Sequence, residues 1–271
     1  MSAATATALP SSPDGGDIPV LDWQGRAVDC GACPHAALRR DGGCEPGRSC
    51  MQDAYARRID RFFRTHPELA NEHLGHPYFE VRAIAVRYAD VFRLPALMDD
   101  PDETVRLHLA LRLPQRQLML MREDAHREVR IRVAQCLAVD QIASMLHDED
   151  YHVRATVARR LPEALLPQMV SDPDLMVRRE VARRVQMPAL LRMTSDREAE
   201  VRRIVAERLP PALLDTFVHD DDLLVRWEVA GRALPAVLEK LIHDAEAEIR
   251  ERARARLDQW QGEDQPEHEH G

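Results

Sequence analysis

Four of the chain's five cysteines lie in one short segment, and no other residues in the sequence point as clearly to chemistry. Their spacing is C-x2-C-x10-C-x5-C. Two intervening residues let the first pair bind one metal ion or one face of a metal cluster from a tight turn. The later pair lacks the second C-x2-C that a zinc ribbon usually shows, so spacing alone leaves iron–sulfur and zinc both open. The candidate ligands are Cys30, Cys33, Cys44 and Cys50.

The residues around these thiols suit a metal centre. Glycines interleave with the cysteines, as expected where backbone wraps closely around an inorganic core and points its N–H groups at sulfur. Arginines in the same segment can offset the negative charge of four thiolates. These residues are Gly31, Gly42, Gly43 and Gly47, with Arg39, Arg40 and Arg48.

Three histidines are weaker metal candidates. His35 lies between the second and third cysteines and could replace one of them in a zinc site. With four thiols available, we interpret it as a bystander. His268 and His270 lie in a terminal stretch rich in Gln, Glu and Pro, whose composition predicts disorder.

Composition restricts the compartment and the class of function. The chain has 271 residues, 45% of them hydrophobic, with no long apolar run and a start, "MSAATATALPSSPDGGD", that lacks the features of a signal peptide. We therefore expect a cytoplasmic protein, in which clustered thiols indicate metal or redox chemistry rather than disulfides. The net charge is −9, and the repetitive middle of the chain is nearly balanced, which disfavours nucleic-acid binding. Because no local catalytic motif emerges, we predict that the chain is not an enzyme, except as a redox subunit.

The cysteine segment is attached to a long array of repeats with a period of 24 residues and no insertion. A representative copy reads "VRATVARRLPEALLPQMVSDPDLM". Seven full copies and one partial copy follow from the spacing. Each begins with a Val-Arg or Ile-Arg pair, at Val81-Arg82, Val105-Arg106, Val129-Arg130, Val153-Arg154, Val177-Arg178, Val201-Arg202, Val225-Arg226 and Ile249-Arg250.

Each copy predicts one α-helix and one shorter helical segment. An aspartate lies five residues before each next Val or Ile, and we predict that it is the N-cap of a helix of about thirteen residues that ends near the next proline. The remaining residues allow only a short second segment, possibly tighter than α. Because no copy shows strand-like alternation, the array predicts an all-α solenoid. The predicted caps are Asp100, Asp124, Asp148, Asp172, Asp196, Asp220 and Asp244.

The repeat arginines fall on the same helical arc as the core. Val153, Val157, Ala158 and Leu161 share this arc, and the second segment adds Leu166 and Met169. Arg154 lies inside the arc, so it needs a carboxylate. The acid four residues earlier is the predicted partner, with the capping aspartate of the neighbouring copy as a second candidate. The predicted pairs are Asp102–Arg106, Asp150–Arg154, Asp174–Arg178, Glu198–Arg202, Asp222–Arg226 and Glu246–Arg250.

A second arginine series lies at the edge of the arc. Its members are less consistently matched to acids, so this edge is the better candidate if the protein binds a polyanion. Cys136, at the same position of its copy, is interpreted as a packed residue rather than a ligand. The series comprises Arg112, Arg160, Arg184, Arg208, Arg232 and Arg256.

Together, the cysteine segment and the tandem "VRxxVAxRL" copies resemble the leucine-rich repeat variant (LRV) proteins that bear an N-terminal iron–sulfur cluster. The resemblance spans residues 30–257. It implies one 4Fe-4S cluster on the four cysteines, whereas the spacing alone keeps a single zinc ion as the alternative. It also implies repeats that alternate α-helix and 3₁₀-helix in a right-handed superhelix, with an Asp–Arg ladder like that of HEAT units.

The predicted organisation has four parts. Residues 1–22 are a disordered N-terminus, 23–56 the cluster segment, 57–257 the LRV/HEAT-like repeat domain, and 258–271 an acidic disordered tail. Aromatic residues concentrate between Tyr55 and Phe92, which predicts that the cluster segment packs against the first repeats as their cap.

The leading functional interpretation is a repeat scaffold for an unidentified protein partner, with a cluster that senses redox state, transfers electrons or is structural. The alternative is a subunit that feeds electrons to a partner enzyme. A nucleic-acid-binding HEAT-like protein and a zinc-stapled scaffold are less favoured.

Overall fold

A computed structural model describes residues 18–263, with side chains as far as Trp260. The chain divides into two compact units after Cys136. Each unit is built from helices, and isolated bridges are the only strand-like pairs within the described residues. No helix in this range is both long and apolar enough to cross a membrane.

The first unit contains the cysteine segment and the first repeats. Its α-helices are α1 (Ala36–Arg40), α2 (Ala56–Thr65), α3 (Phe79–Val86), α4 (Glu103–Ala110), α5 (Gln115–Leu120) and α6 (Arg127–Cys136). Its 3₁₀ helices are η1 (Pro67–His73), η2 (Val91–Leu97) and η3 (Met121–Glu123).

The second unit contains the later repeats. Its α-helices are α7 (Tyr151–Arg160), α8 (Leu175–Arg184), α9 (Ala199–Arg208), α10 (Leu223–Arg232), α11 (Pro235–Leu241) and α12 (Ala247–Glu263). Its 3₁₀ helices are η4 (Ile142–Met145), η5 (Glu163–Gln168), η6 (Ala189–Met193) and η7 (Pro211–Phe217).

Alternation of α-helix and 3₁₀-helix follows from the repeat sequence. In one copy, α7 ends where Leu161 turns extended before Pro162, a residue that disfavours helix in its predecessor. Only a short stretch then remains, and it forms η5. The predicted layout of two helical segments per copy is therefore confirmed. In two copies the second segment is an α-helix, α5 or α11, rather than a 3₁₀ helix. The first helices of the copies, α3, α4 and α6 to α10, span eight to ten residues and not thirteen.

The predicted N-caps were wrong by two residues. Asp150, not Asp148, caps α7, and its carboxylate accepts hydrogen bonds from the N–H groups of His152 and Val153 at 2.8 and 3.4 Å. Asp102, Asp174 and Asp222 cap α4, α8 and α10 in the same way, while Glu198 occupies this position at α9 without a side-chain bond.

The predicted arginine pairs were also wrong, and Asp102, Asp150, Asp174 and Asp222 are used as caps instead. In the copies given below, the arginine binds the aspartate eighteen residues later, in the next copy, which was the second candidate. Arg178, for example, donates two hydrogen bonds to Asp196 at 2.7 and 3.1 Å. In the first unit the ladder pairs are Arg82–Asp100 and Arg106–Asp124; in the second they are Arg154–Asp172, Arg178–Asp196, Arg202–Asp220 and Arg226–Asp244.

Five of the six arginines of the second series bond to carbonyls at the end of the preceding α-helix. Arg184 donates to the carbonyls of Ala158 and Leu161 at 2.5 and 2.8 Å, at the end of the preceding α-helix. These carbonyls have no partner within their own helix, so a cation there satisfies them. Arg112, Arg160, Arg208 and Arg232 make equivalent bonds within their units.

The core of each copy is the predicted one. Val153, Val157, Ala158, Leu161 and Leu166 are fully buried, and Met169 nearly so. Cys136 is half-buried at the end of α6.

Parts of the predicted tails are described by the structure. Helix α12 continues to Glu263, six residues into the segment 258–271 where composition predicted disorder. Residues 18–22 are likewise described, and Leu21 forms a bridge with Ala27. His268 and His270 lie outside the described residues.

Candidate metal centre

The cysteine segment folds around short turns rather than regular structure. Asp29 begins the first turn, because its carboxylate accepts the N–H groups of Gly31 and Ala32 at 2.8 and 3.3 Å. Cys30 and Cys33 flank these two residues. The turn therefore holds the first pair of thiols, and α1 begins three residues after Cys33.

Two glycines with positive φ reverse the chain, one just before Cys44 and one between Cys44 and Cys50. Gly42 (φ 73°) follows α1, and the Gly43 N–H then donates to the Leu38 carbonyl at 2.7 Å, which ends the helix. Gly47 (φ 81°) lies in the tight turn closed by the Glu45–Ser49 bridge. These turns return Cys44 and Cys50 towards Cys30 and Cys33.

The electrostatics of Cys44 and Cys50 are influenced by the first pair of cysteines. Burial raises the pKa of the Cys50 thiol to about 11, and the charges of Cys33 and Cys30 add to this shift. Burial also raises the pKa of Cys44, again with contributions from Cys33 and Cys30, while Arg39 opposes the rise. The charges of Cys30 and Cys33 thus act on both Cys44 and Cys50, and the assignment of all four thiols to one centre stays a prediction.

This donor set fits an iron–sulfur cluster. Clusters of this type are held by four cysteine thiolates, and binding metal removes the protons that the thiols otherwise keep. The chain also supplies second-sphere groups: the His35 N–H points at Cys33 Sγ (3.4 Å), and Arg39 lies near Cys44.

A buried arginine that sequence reasoning missed anchors the segment to α2. Arg58 is 2% exposed and pairs with Asp53, which is 1% exposed, at 3.0 Å. It also donates to the carbonyls of Pro19 and Ile18 at 3.0 and 2.8 Å. The Arg58 guanidinium thus connects α2 both to the first described residues and to the loop after Cys50. Nothing in the sequence distinguishes it from its exposed neighbour Arg57.

His35 makes packing and hydrogen-bond contacts beside the cysteine segment. It is buried, and its Nε2 lies 2.7 Å from Nε2 of His73 in η1, so one ring donates and the other accepts. Burial lowers the pKa of both rings, that of His73 to about 4. With Glu72 they place three ligand atoms within 4.8 Å of one another, although the two rings already bond each other.

The aromatic joint beside this histidine pair is as predicted, apart from Phe92. Phe62 and Phe63 are buried in contact with each other, with His35 against the first ring and His73 against the second. Trp23 of the cysteine segment stacks on Tyr78. Phe92 is 88% exposed and takes no part.

Comparison with known proteins decides the family. A family profile described as "LRV protein FeS4 cluster" matches residues 20–72, which include all four cysteines, and "Leucine rich repeat variant" matches residues 151–174 and 199–222. A solved structure described as a leucine-rich repeat variant with a novel repetitive protein structural motif is 42% identical, with a TM-score of 0.80, over 85% of this chain and 99% of that one. This chain belongs to the LRV family.

A curated relative matches a shorter part of this LRV protein. It is an uncharacterized 27.7 kDa protein in the nifB 3′ region of Rhodobacter capsulatus, 56% identical over 94 residues. The match covers 35% of this chain and 38% of the relative's length.

Together these findings establish an iron–sulfur-binding LRV repeat protein with the predicted all-α repeat fold. The family match indicates the 4Fe-4S type, and nothing in the comparisons supports the zinc alternative. When bound, such a cluster supplies one-electron redox chemistry. The chain's own residues supply four thiolates, hold them by the glycine turns and Arg58, and leave Cys44 half-buried at a cleft open to solvent.

Proposed function

We propose that this LRV protein is a non-enzymatic scaffold of the cytoplasm that binds a protein partner through its repeats and carries one redox-active 4Fe-4S cluster. The cytoplasmic assignment rests on the clustered thiols, which a reducing compartment keeps available for metal.

The observation that carries the binding role is an exposed apolar surface on α10. Leu223, Leu224 and Trp227 are 43%, 51% and 37% exposed. The Arg252 guanidinium covers part of the Trp227 ring at 4.4 Å. Tryptophan and arginine are enriched at the centres of protein interfaces, and such a group fits a partner better than it fits water.

This surface is not a general property of the repeats. At the same three positions of the preceding copy, α9 carries Ala199, Glu200 and Arg203. The recurring polar groups, namely the ladder pairs and the arginines that bond to helix ends, serve contacts between copies. A partner would therefore recognise residues that differ between copies, as those of α10 do.

Electron transfer to a partner enzyme is the second candidate function. It is favoured by the position of Cys44, which lines a solvent-open cleft. Electrons could enter or leave the cluster there while the repeats hold the partner.

An anaerobic pull-down tests the proposal. Leu224→Glu should abolish capture of the native partner, because the charge would have to be desolvated in the interface. Glu200→Lys, at the equivalent position of α9, is the matched control and should capture normally. Equal capture by the wild type and Leu224→Glu would contradict binding through α10. Reoxidation of the reduced protein by the captured partner would favour the electron-feeding subunit.

A further inference from the structure

We infer that the arginine face of α2 beside Cys44 is the docking surface for an acidic redox protein that exchanges electrons with the cluster. The inference rests on the proposed redox activity of the cluster and names the kind of partner that serves it.

The surface consists of three exposed arginines on one side of α2, namely Arg57, Arg61 and Arg64. Their spacing of four and three residues places them on one helical face, opposite the buried Ile59 and Phe62. Like charges at this spacing destabilise a helix, so the fold alone gives no reason for them.

These arginines differ from the repeat arginines in having no acid of their own. Among the described residues, none of the three has a carboxylate within 4 Å of its guanidinium. The one acid on their helix, Asp60, pairs with Arg87 at 2.8 Å and accepts a hydrogen bond from Tyr88, also at 2.8 Å. Their charge is therefore available to a partner.

The arginines and the cluster ligand share one cleft. Arg61 and Arg64 line it together with Arg48 and Cys44, and its volume is about 310 Å³. Arg61 also donates to the Arg48 carbonyl at 3.4 Å, which holds its guanidinium at the cysteine loop. Glu45 is the ion-pair partner of Arg48, but both side chains are exposed and their charged atoms lie 3.6 Å apart. Glu45 therefore offsets little of the positive charge in the cleft.

A second depression of the cysteine segment has the other sign. The depression beside Cys30 is lined by Asp22 and Asp29, with Arg26 paired to Asp22. An acidic protein is repelled there and attracted to the Cys44 side. This asymmetry orients the partner so that its redox centre meets the cluster at Cys44.

The arginine face is small and is bordered by acids, which favours an acidic protein over nucleic acid as its partner. Exposed Asp41 and Glu45 border it, and no exposed aromatic ring lies in the cleft for bases to stack on. Nucleic acid remains an outcome that the experiment can return.

The experiment measures electron transfer from a flavodoxin of strongly negative net charge to the oxidised holoprotein. The fully reduced flavin loses one electron and the cluster gains it, and no bond forms or breaks. The wild-type rate constant should fall at least tenfold between 20 mM and 0.5 M salt, because salt screens the steering charges. Arg61→Glu/Arg64→Glu should lower the low-salt rate about tenfold and remove the salt dependence. Reduced methyl viologen, a small cationic donor of low potential that gives up one electron, should show no such loss.

Arg192→Glu/Arg203→Glu in the second unit is the matched control, because it changes the net charge equally at two exposed positions away from the cysteine segment. Iron content must be the same in every variant. If the double Glu variant loses iron, Arg57→Gln/Arg64→Gln replaces it. Equal losses in the α2 and control variants would overturn the inference, as would tighter binding of labelled single-stranded RNA than of flavodoxin to the α2 face.

Failure of the proposed redox function has a different signature. An intact cluster that exchanges electrons with neither donor would reject that function. Calorimetric binding of flavodoxin to the wild type and the double Glu variant would then still decide whether α2 binds an acidic protein.

Discussion

Arg154 and Asp172 lie eighteen residues apart in the chain and form a two-pronged ion pair, with N–O distances of 2.8 and 3.0 Å. The same guanidinium donates to the carbonyls of Asp148 and Glu149 at 2.8 and 3.0 Å. One side chain therefore fastens the start of its own helix to the next copy.

Replacing Arg154 by Met should destabilise the protein, because Asp172 would keep a charge in a site where its side chain is 7% exposed. We expect a loss of about 3 kcal/mol in the free energy of unfolding. Chemical denaturation measures it. Arg203→Met, at an exposed position, is the control and should change stability by less than about 0.5 kcal/mol. An unchanged midpoint for Arg154→Met would show that the ladder does not stabilise the fold.

The ladder also predicts how stability depends on acid. Burial by itself raises the pKa of Asp220, but the hydrogen bond and charge of Arg202 outweigh it, and the net pKa lies below its usual 3.8. The stabilisation is thus complete above the ordinary aspartate pKa and is lost as pH falls through the lower folded value.

Asp220→Asn should consequently be less stable than the wild type at neutral pH, with the difference shrinking below about pH 4. Denaturation midpoints between pH 2 and 7 test this. Asp221→Asn, an exposed neighbour, should follow the wild-type curve. A wild-type advantage that is as large at pH 2 as at pH 7 would exclude a charge-dependent contribution from this pair.

Sequence patterns predicted the repeats and the thiol centre well because these features depend on residue type at fixed spacing. They failed at the partners of Arg154. An acid four residues earlier and another eighteen residues later both satisfy the chemistry, and the short-range rule favoured Asp150. Once Asp150 accepts backbone N–H groups at the helix start, only Asp172 is left, and its approach depends on how copies stack.

The burial of Arg58 is a second feature that local sequence patterns did not predict. Its sequence surroundings, "YARRID", are those of a solvent-exposed helix. Its burial arises from the return of residues 18–21 over α2, a contact between distant parts of the chain that no local period encodes.

The four predicted ligands are tested by substitution. Cys44→Ser should abolish or destabilise the cluster, because a serine hydroxyl is a harder and far less acidic donor than a thiol. Visible absorption and iron content after anaerobic purification measure the loss. Cys136→Ser should retain both, since this thiol lies at the end of α6. A cluster that survives Cys44→Ser unchanged would remove Cys44 from the site.

Loss of the cluster should loosen the first repeats. The cysteine segment bonds to the helices through the 2.7 Å contact of His35 with His73 and the 2.8 Å contact of His66 with the Gly43 carbonyl. Coupling in repeat proteins decays from neighbour to neighbour. Amide hydrogen exchange should therefore rise more in α3 than in α10 after iron removal. Equal rises in both helices would contradict a local cap.

The nature of the metal tests the account most directly, because the redox role and its docking surface both depend on it. We predict that the protein purified without oxygen is brown, absorbs broadly in the visible and contains about four irons per chain, held by Cys30, Cys33, Cys44 and Cys50. A colourless anaerobic preparation with one stoichiometric zinc would contradict this prediction and leave a scaffold with a structural metal site.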